Sequence, residues 1–329
     1  MTNPSVAFTA RCVAVLGAGA VGSYFGAVLA RAGIAVTLIG RPVHVSAIER
    51  DGLRVLQDGR EWQVAVRAAT TAAAAQDADV VLVTVKTPDT SDAARALLPH
   101  LRADARVVSL QNGVDNAARI AAVLPQPVCA AVVYVGAHMD GPGRVRHTGR
   151  GDLVIGMPRA LAARGDAGRD VRGIAAMFEA AGVRCPITAD IEAALWTKLT
   201  LNCAFNAVSA LGHSRYGRMA ASPPIRAVME EAVREAVAVA RADGVILDPA
   251  ELVAATWTLA GAMAQQYSST AQDIERGKRT EIDALNGFVA HRGAELGVPT
   301  PVNRTLHALV KLREPGAESG DPVRAGEMS

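Results

Sequence analysis

The chain has 329 residues, half of them apolar, 20% charged and only 4% aromatic. Its 34 basic and 32 acidic side chains leave a formal charge of +2. That balance excludes the basic footprint of a nucleic-acid binder, and the apolar content excludes a disordered chain. The length accommodates two domains of ordinary size.

The first element raises a question at once. From Cys12 to Ala30 there is no charged residue, which hydropathy alone reads as a membrane span or a signal-peptide core. Glycines at 17, 19, 22 and 26, and the second apolar run at Ile34–Ile39, favour a buried strand, a glycine turn and a helix instead. Further strands are expected at Ala35–Ile39, Val80–Val85, Arg106–Leu110 and Val128–Val135, with helical stretches at Val21–Ala32, Ser91–Leu101 and Asn116–Leu124. Short apolar strands alternating with helices imply a parallel sheet covered on both faces. Arg144–His147 and Leu153–Gly156 flank Thr148–Gly151 and read as a hairpin. Leu161–Gly182 reads as a helix and Val183–Ile187 as a last short strand.

Beyond Asp190 the pattern is helical throughout: Ile191–Leu211, Pro224–Gly244, Ala250–Gln266 and Thr280–Leu296. The expected division is a nucleotide-binding domain over 1–188, a helical substrate and catalytic domain over 189–313, and a flexible tail over 314–329. Four cysteines with no CxxC spacing look like reduced apolar fillers of a cytoplasmic protein. No metal, membrane or nucleic acid is expected as a partner. An Ala-rich helical half is compatible with a homodimer.

Gly17, Ala18, Gly19, Ala20, Val21 and Gly22 form a GxGxxG between the first strand and the first helix. Gly17 permits the tight turn, Gly19 lets backbone amides approach a pyrophosphate, and Gly22 lets the helix pack closely on the sheet. This is the signature of a Rossmann-type βαβ unit. An NAD-preferring site has an acid at the end of the second strand, whereas this chain has Ile39-Gly40-Arg41-Pro42. The guanidinium of Arg41 suits a 2′-phosphate, so NADP(H) is the expected cofactor, with a solvated loop arginine as the alternative. His44 lines the same pocket or lies on the surface. Lys86 ends the Val83-Thr84-Val85-Lys86 strand and can reach a phosphate or the adenosine ribose. Asn112, at the end of Leu110-Gln111-Asn112-Gly113, suits the nicotinamide ribose or the substrate, or is a simple turn residue.

In the helical half, Lys198, Asn202 and Asn206 recur at i, i+4 and i+8 within the otherwise apolar ALWTKLTLNCAFN. A polar stripe on such a helix indicates a lined cavity, because a buried amide or ammonium is costly unless satisfied. Ser268, Ser269 and the Lys278–Asp283 segment supply further polar groups, and Glu281 by pattern alone fits a surface acid.

In this order GAGAVG, VTVK, QNGV, LWTKLTLNCAFN and KRTEID resemble the ketopantoate reductase (2-dehydropantoate 2-reductase) family over about residues 11 to 312. The resemblance implies a Rossmann-type domain followed by an all-α domain of the 6-phosphogluconate dehydrogenase C-terminal-like type. It implies NADPH-dependent reduction of a branched 2-keto acid to a 2-hydroxy acid, in pantothenate biosynthesis. Lys198 falls on the family's catalytic lysine and Glu281 on its substrate-binding glutamate, which is counted with Lys198 as catalytic and also with the cofactor contacts. Asn112, Asn202, Asn206 and Ser269 fall on polar pocket residues, and Arg41 and Lys86 on NADP contacts. Tyr216 stands where some of these reductases carry a substrate-contacting asparagine, and Tyr134 and His138 are bulky for a small keto acid. The other readings are a related 2-hydroxy-acid dehydrogenase with a different substrate, and a non-catalytic NADP-binding sensor.

Overall fold

The computed structural model describes residues 10–163 and 167–315. The uncharged run divides as its glycines predict. Strand β1 (Cys12–Leu16) is followed by helix α1 (Ala20–Arg31), and β2 (Ala35–Ile39) comes next. Helix α2 (Pro42–Asp51) leads to three short strands absent from the sequence reading, β3 (Leu53–Gln57), β4 (Arg60–Val64) and β5 (Arg67–Ala69). Then come β6 (Val80–Val83), α3 (Thr90–Leu97), β7 (Arg106–Ser109), α4 (Asn116–Ala121), β8 (Val128–Met139), β9 (Arg144–Gly156) and α5 (Ala167–Ala180). Among the described residues no helix is long and apolar enough to cross a membrane.

The strands make one nine-stranded sheet in the order β4-β3-β9-β8-β7-β6-β1-β2-β5. From β8 to β5 every pairing is parallel, and β1 lies between β2 and β6 with Leu16 opposite both Ile39 and Val83. Alternate residues serve two cores. Val13, Val15, Val80 and Leu82 pack with Phe25 and Leu29 of α1 and Phe178 of α5. Ala14, Leu16, Val81 and Val83 pack with Leu97 of α3 and Ile120 of α4. Burial on both faces explains why these strands read as unbroken apolar runs.

Three expected strands change form. Residues 144–156 are a single strand, β9, running antiparallel to β8, so the reversal lies at Asp140–Gly143 and not at Thr148–Gly151. The latter is a bulge where the register shifts opposite Val135–Ala137, with Gly149 at φ 155° and Arg150 at φ 46°. An extra residue in one strand bends a ladder without ending it, and a glycine-containing bulge mimics a turn in sequence. Val183–Ile187 is not a strand; it meets β9 through one bridge, Ile155 with Ile187, and backbone bonds such as Ile155 N–H to Pro186 O.

Among the described residues seven helices follow: α6 (Ile191–Gly212), α7 (Tyr216–Ala220), α8 (Pro223–Ala242), α9 (Pro249–Ala262), α10 (Ser269–Glu275), α11 (Asn286–Leu296) and α12 (Pro301–Arg313). The chain separates into two compact units between Leu195 and Trp196, within α6. Phe205, Met229, Val233, Leu252, Ile282, Leu306 and Val310 form the core of the second unit. Its buried Glu235, on α8, accepts hydrogen bonds from the backbone amides of Val302 and Asn303 at 2.8 Å each and so caps α12. A carboxylate there satisfies orphan donors and suits the positive end of the helix dipole.

Thr280–Leu296 is not one helix. A single 3-10 turn at Ile282–Ala284 precedes α11, and Glu281 sits at the turn's start with φ −102° and ψ 19°. Glu314, expected as the first residue of the tail, is instead fixed in the helical unit. Glu314 is buried, its carboxylate accepting from the Thr280 amide at 2.8 Å; residues 316–329 of that tail lie outside the described residues.

Candidate active site

The glycine loop closes the C-terminal end of β1. Gly17 has φ 117°, a conformation glycine adopts without the penalty a side chain carries. Its amide and that of Ala18 both donate to Ile39 O, at 2.9 and 3.1 Å, which ties the loop to the end of β2. A methyl group on Gly22 would meet Gly17 O, Thr84 Oγ1 at 2.5 Å and Val15 Cγ1 at 2.9 Å, so only glycine lets α1 sit this close to the sheet. Gly19 differs: nothing lies within 4 Å of the position its Cβ would take. It is the N-cap of α1, and this helix has no side-chain cap and no acidic residue in its first turn. Open space in front of uncapped, positively polarised amides fits the pyrophosphate of a dinucleotide. The loop lies at the C-terminal ends of the paired strands β1 and β6, from which the chain runs to opposite sides, β1 towards β2 and β6 towards β7, the switch point of an open α/β sheet.

Groups that no sequence motif marks hold this edge together. Thr84, inside Val83-Thr84-Val85-Lys86, donates its hydroxyl to Gly17 O at 2.7 Å, locking the loop after β6 to the glycine turn. Behind Asn112 lies a buried polar chain. Ser109 Oγ donates to Gln111 Oε1 at 3.0 Å, and Gln111 Nε2 donates to Val85 O at 2.9 Å and Thr90 Oγ1 at 2.7 Å. Thr90 Oγ1 in turn donates to Asn116 Oδ1 at 2.9 Å. The carbonyl of Asn112 receives Thr87 Oγ1 at 3.0 Å and Asn116 Nδ2 at 2.6 Å. The backbone of Asn112 is held by these two bonds, and both loops at the ends of β6 and β7 are fixed by mutually satisfied groups. The available signal was polar residues at the ends of otherwise apolar strands.

Arg41 and Lys86 are exposed at the same sheet edge, Arg41 as the N-cap of α2 and Lys86 as the N-cap of the 3-10 turn Thr87–Asp89. His44, partly buried, receives the Gly143 amide at Nδ1, 3.4 Å away, so it is joined to the β8–β9 reversal. Tyr134 is half-buried on β8 beneath the guanidinium of Arg150, 4.3 Å from the ring centroid, and burial pushes its phenol up. His138, further along β8, lies opposite Arg146.

In the second unit α6 carries Lys198, Asn202 and Asn206 on a single unbroken helix. Lys198 and Asn202 are partly buried and Asn206 is 3% exposed, unlike a solvated helix face. Ser268, the N-cap of α10, donates to Asn206 O at 3.1 Å and accepts from the Ala271 amide at 3.1 Å, while its own amide donates to Ser209 Oγ. The buried serine thus docks α10 on α6, and its exposed neighbour Ser269 begins α10. Tyr216 belongs to the core, stacked on Phe205 with centroids 4.1 Å apart, its hydroxyl pushed up to about 12 by burial. Burial also pushes the thiols of Cys129 and Cys185 up to about 12 and that of Cys203 upward, leaving three inert side chains.

Residues 13–160 match the family Ketopantoate reductase PanE/ApbA, and residues 190–314 match Ketopantoate reductase PanE/ApbA C terminal. The chain belongs to the ketopantoate reductase family. It is 39% identical to the 2-dehydropantoate 2-reductase of Halobacterium salinarum, over 92% of this chain and 98% of that one. The crystal structure of a PanE/ApbA family ketopantoate reductase from Ralstonia eutropha JMP134 superposes with a TM-score of 0.84 at 49% identity, covering 92% of this chain and 98% of that one. A D-mandelate dehydrogenase, solved with NADH and anilino(oxo)acetate, shares the fold at a TM-score of 0.85 and 24% identity, covering 92% and 98%. The protein is a dinucleotide-binding oxidoreductase acting on a CH–OH group, with a parallel-sheet N-terminal domain and a helical C-terminal domain.

Proposed function

We propose that this protein reduces 2-dehydropantoate to (R)-pantoate with NADPH, in the cytoplasm, as a step of pantothenate and coenzyme A biosynthesis. The observation that carries the reading is the stripe of Lys198, Asn202 and Asn206 on one face of an apolar helix. Residues 1–188 hold the cofactor and 189–313 the substrate and its catalytic lysine. Bound at the Gly17–Gly22 loop, the dinucleotide supplies a hydride to the C2 carbonyl carbon.

The chain's own residues do the rest. Lys198 donates a hydrogen bond to the carbonyl oxygen, balances the negative charge developing there, and delivers the proton that completes the hydroxyl. Asn202 and Asn206 orient the keto acid, with Ser269 on its carboxylate and Glu281 accepting its 4-hydroxyl. Asn112 holds the nicotinamide-side ribose from the fixed loop after β7. Arg41, with no acid at the end of β2, supports the choice of NADPH through a 2′-phosphate.

The test is NADPH oxidation over a panel of aliphatic and aromatic 2-keto acids that includes ketopantoate. Ketopantoate is expected to give the highest kcat/KM. Lys198→Ala is expected to lower kcat by about 10²–10⁴-fold, the range for a positioned general acid, while NADPH still binds. Full turnover by that variant refutes the assignment, and a preference for another keto acid replaces the substrate.

A further inference from the structure

Glu281 lies on a stretch with little structure of its own, one 3-10 turn between an exposed loop and α11. Both sides of it are gripped by the C-terminal half of α12 and its C-cap, from His307 to Glu314. On one side, the Thr280 amide and hydroxyl donate to Glu314 Oε1 at 2.8 and 2.5 Å, and the same hydroxyl accepts from the Ile282 amide at 3.2 Å. On the other, Asp283 meets His307 Nε2 at 2.7 Å and Lys311 Nζ at 3.0 Å. Lys311 joins the halves by also donating to Glu314 at 2.5 Å, and Arg279 approaches Asp283 at 3.5 Å. Thr280 is 1% and Glu314 9% exposed.

We propose that Glu314, Lys311 and His307 are positioning residues that set the placement of Glu281 for substrate binding. The inference rests on the reading of Glu281 as a substrate-binding group. Ile282 and Leu285 already anchor the segment in the core by apolar packing, at 0 and 2% exposure. That packing fixes depth but not the torsion of the residues on either side of Glu281. Directional bonds to the Thr280 and Ile282 amides and to the Asp283 carboxylate do. Burying a carboxylate is costly unless it is paired and hydrogen-bonded, and Glu314 is both. A glutamate displaced by about 1 Å binds its hydroxyl partner poorly, so the clasp acts on substrate affinity.

The experiment is a double-mutant cycle on the full chain with Glu281→Ala and Glu314→Ala, read by steady-state NADPH oxidation, NADPH titration and thermal melting. Glu281→Ala and Glu314→Ala are each expected to raise KM for the keto acid about tenfold, a larger factor than either loses in kcat or in NADPH affinity. In the Glu281→Ala background, Glu314→Ala is expected to add less than about twofold, because the two act through one contact. Glu314→Gln, whose amide oxygen still accepts from Thr280, restores most of the affinity. Lys311→Met runs the same cycle if Glu314→Ala does not fold. Equal KM rises in both backgrounds, or a lower Tm with unchanged KM, overturns the clasp and leaves the function of Glu281 standing. An unchanged KM in Glu281→Ala overturns the reading of that glutamate and the clasp with it.

Discussion

Gly19 and Gly22 lie in one six-residue motif, yet the structure assigns them opposite sensitivities. Gly19→Ala places a methyl group where no atom lies within 4 Å, at a φ of −81° that any residue adopts. The fold loses only the N-cap preference of glycine over alanine, about 0.5–1 kcal/mol. The methyl group instead occupies the approach to the α1 amides. Losing one charge-assisted hydrogen bond there costs about 1.5–3 kcal/mol, which raises the NADPH Kd by roughly 10- to 150-fold. Gly22→Ala drives its methyl against Gly17 O, Thr84 Oγ1 and Val15 Cγ1. Two of these belong to rigid strand and turn, so overpacking costs about 1–3 kcal/mol of stability. Fluorescence titration with NADPH and thermal melting of the two variants separate the effects: a binding defect with a near-normal Tm for Gly19→Ala, a lowered Tm for Gly22→Ala. A Gly19→Ala protein that binds NADPH within twofold of wild type would show that the pyrophosphate does not sit at this loop.

Two further outcomes follow from charge. Arg41→Ala is expected to weaken NADPH binding about tenfold or more while leaving NADH binding within twofold, because in the proposed role the guanidinium pairs with the 2′-phosphate that NADH lacks; equal losses for both cofactors, measured by titration, would exclude that role. Burial opposes ionisation of Glu314 and Asp283, yet the bonds from Lys311 and Thr280 to one, and from His307 and Lys311 to the other, hold both carboxyls below their ordinary values. The unfolded chain therefore binds their protons first, so this stabilisation is complete above the usual carboxylate range, about pH 4, and is lost as pH falls through the depressed values. Burial likewise opposes the charge on Lys311, but its bonds to Glu314 and Asp283 raise its pKa overall, so its share is lost only as pH rises above the ordinary lysine value. Melting curves between pH 6 and 3 should show a shallower fall in Tm for Glu314→Gln than for the wild type, and parallel curves would refute the linkage.

What the sequence determined by itself is local. The GxGxxG between an apolar strand and a helix, the missing acid before Arg41 and the four-residue spacing of Lys198, Asn202 and Asn206 are written in neighbouring residues. They survive in β1, α1, β2 and α6 because period and backbone freedom are short-range properties. Tertiary structure decided whatever depends on a distant partner. The hydroxyl of Thr84 matters only because the parallel register of β1 and β6 brings it to Gly17 O. Residues 148–151 look like a turn until β8 pairs along the whole of β9 and makes them a bulge. Tyr216 looks like a pocket residue until Phe205 stacks on it in the core. Glu314, at the start of a Gly- and Pro-rich tail, becomes an anchor only where α12 carries it to Thr280. A hydrogen bond or a ring stack is a meeting of two groups in space, and one-dimensional spacing specifies that meeting only when both lie within a turn or two of each other.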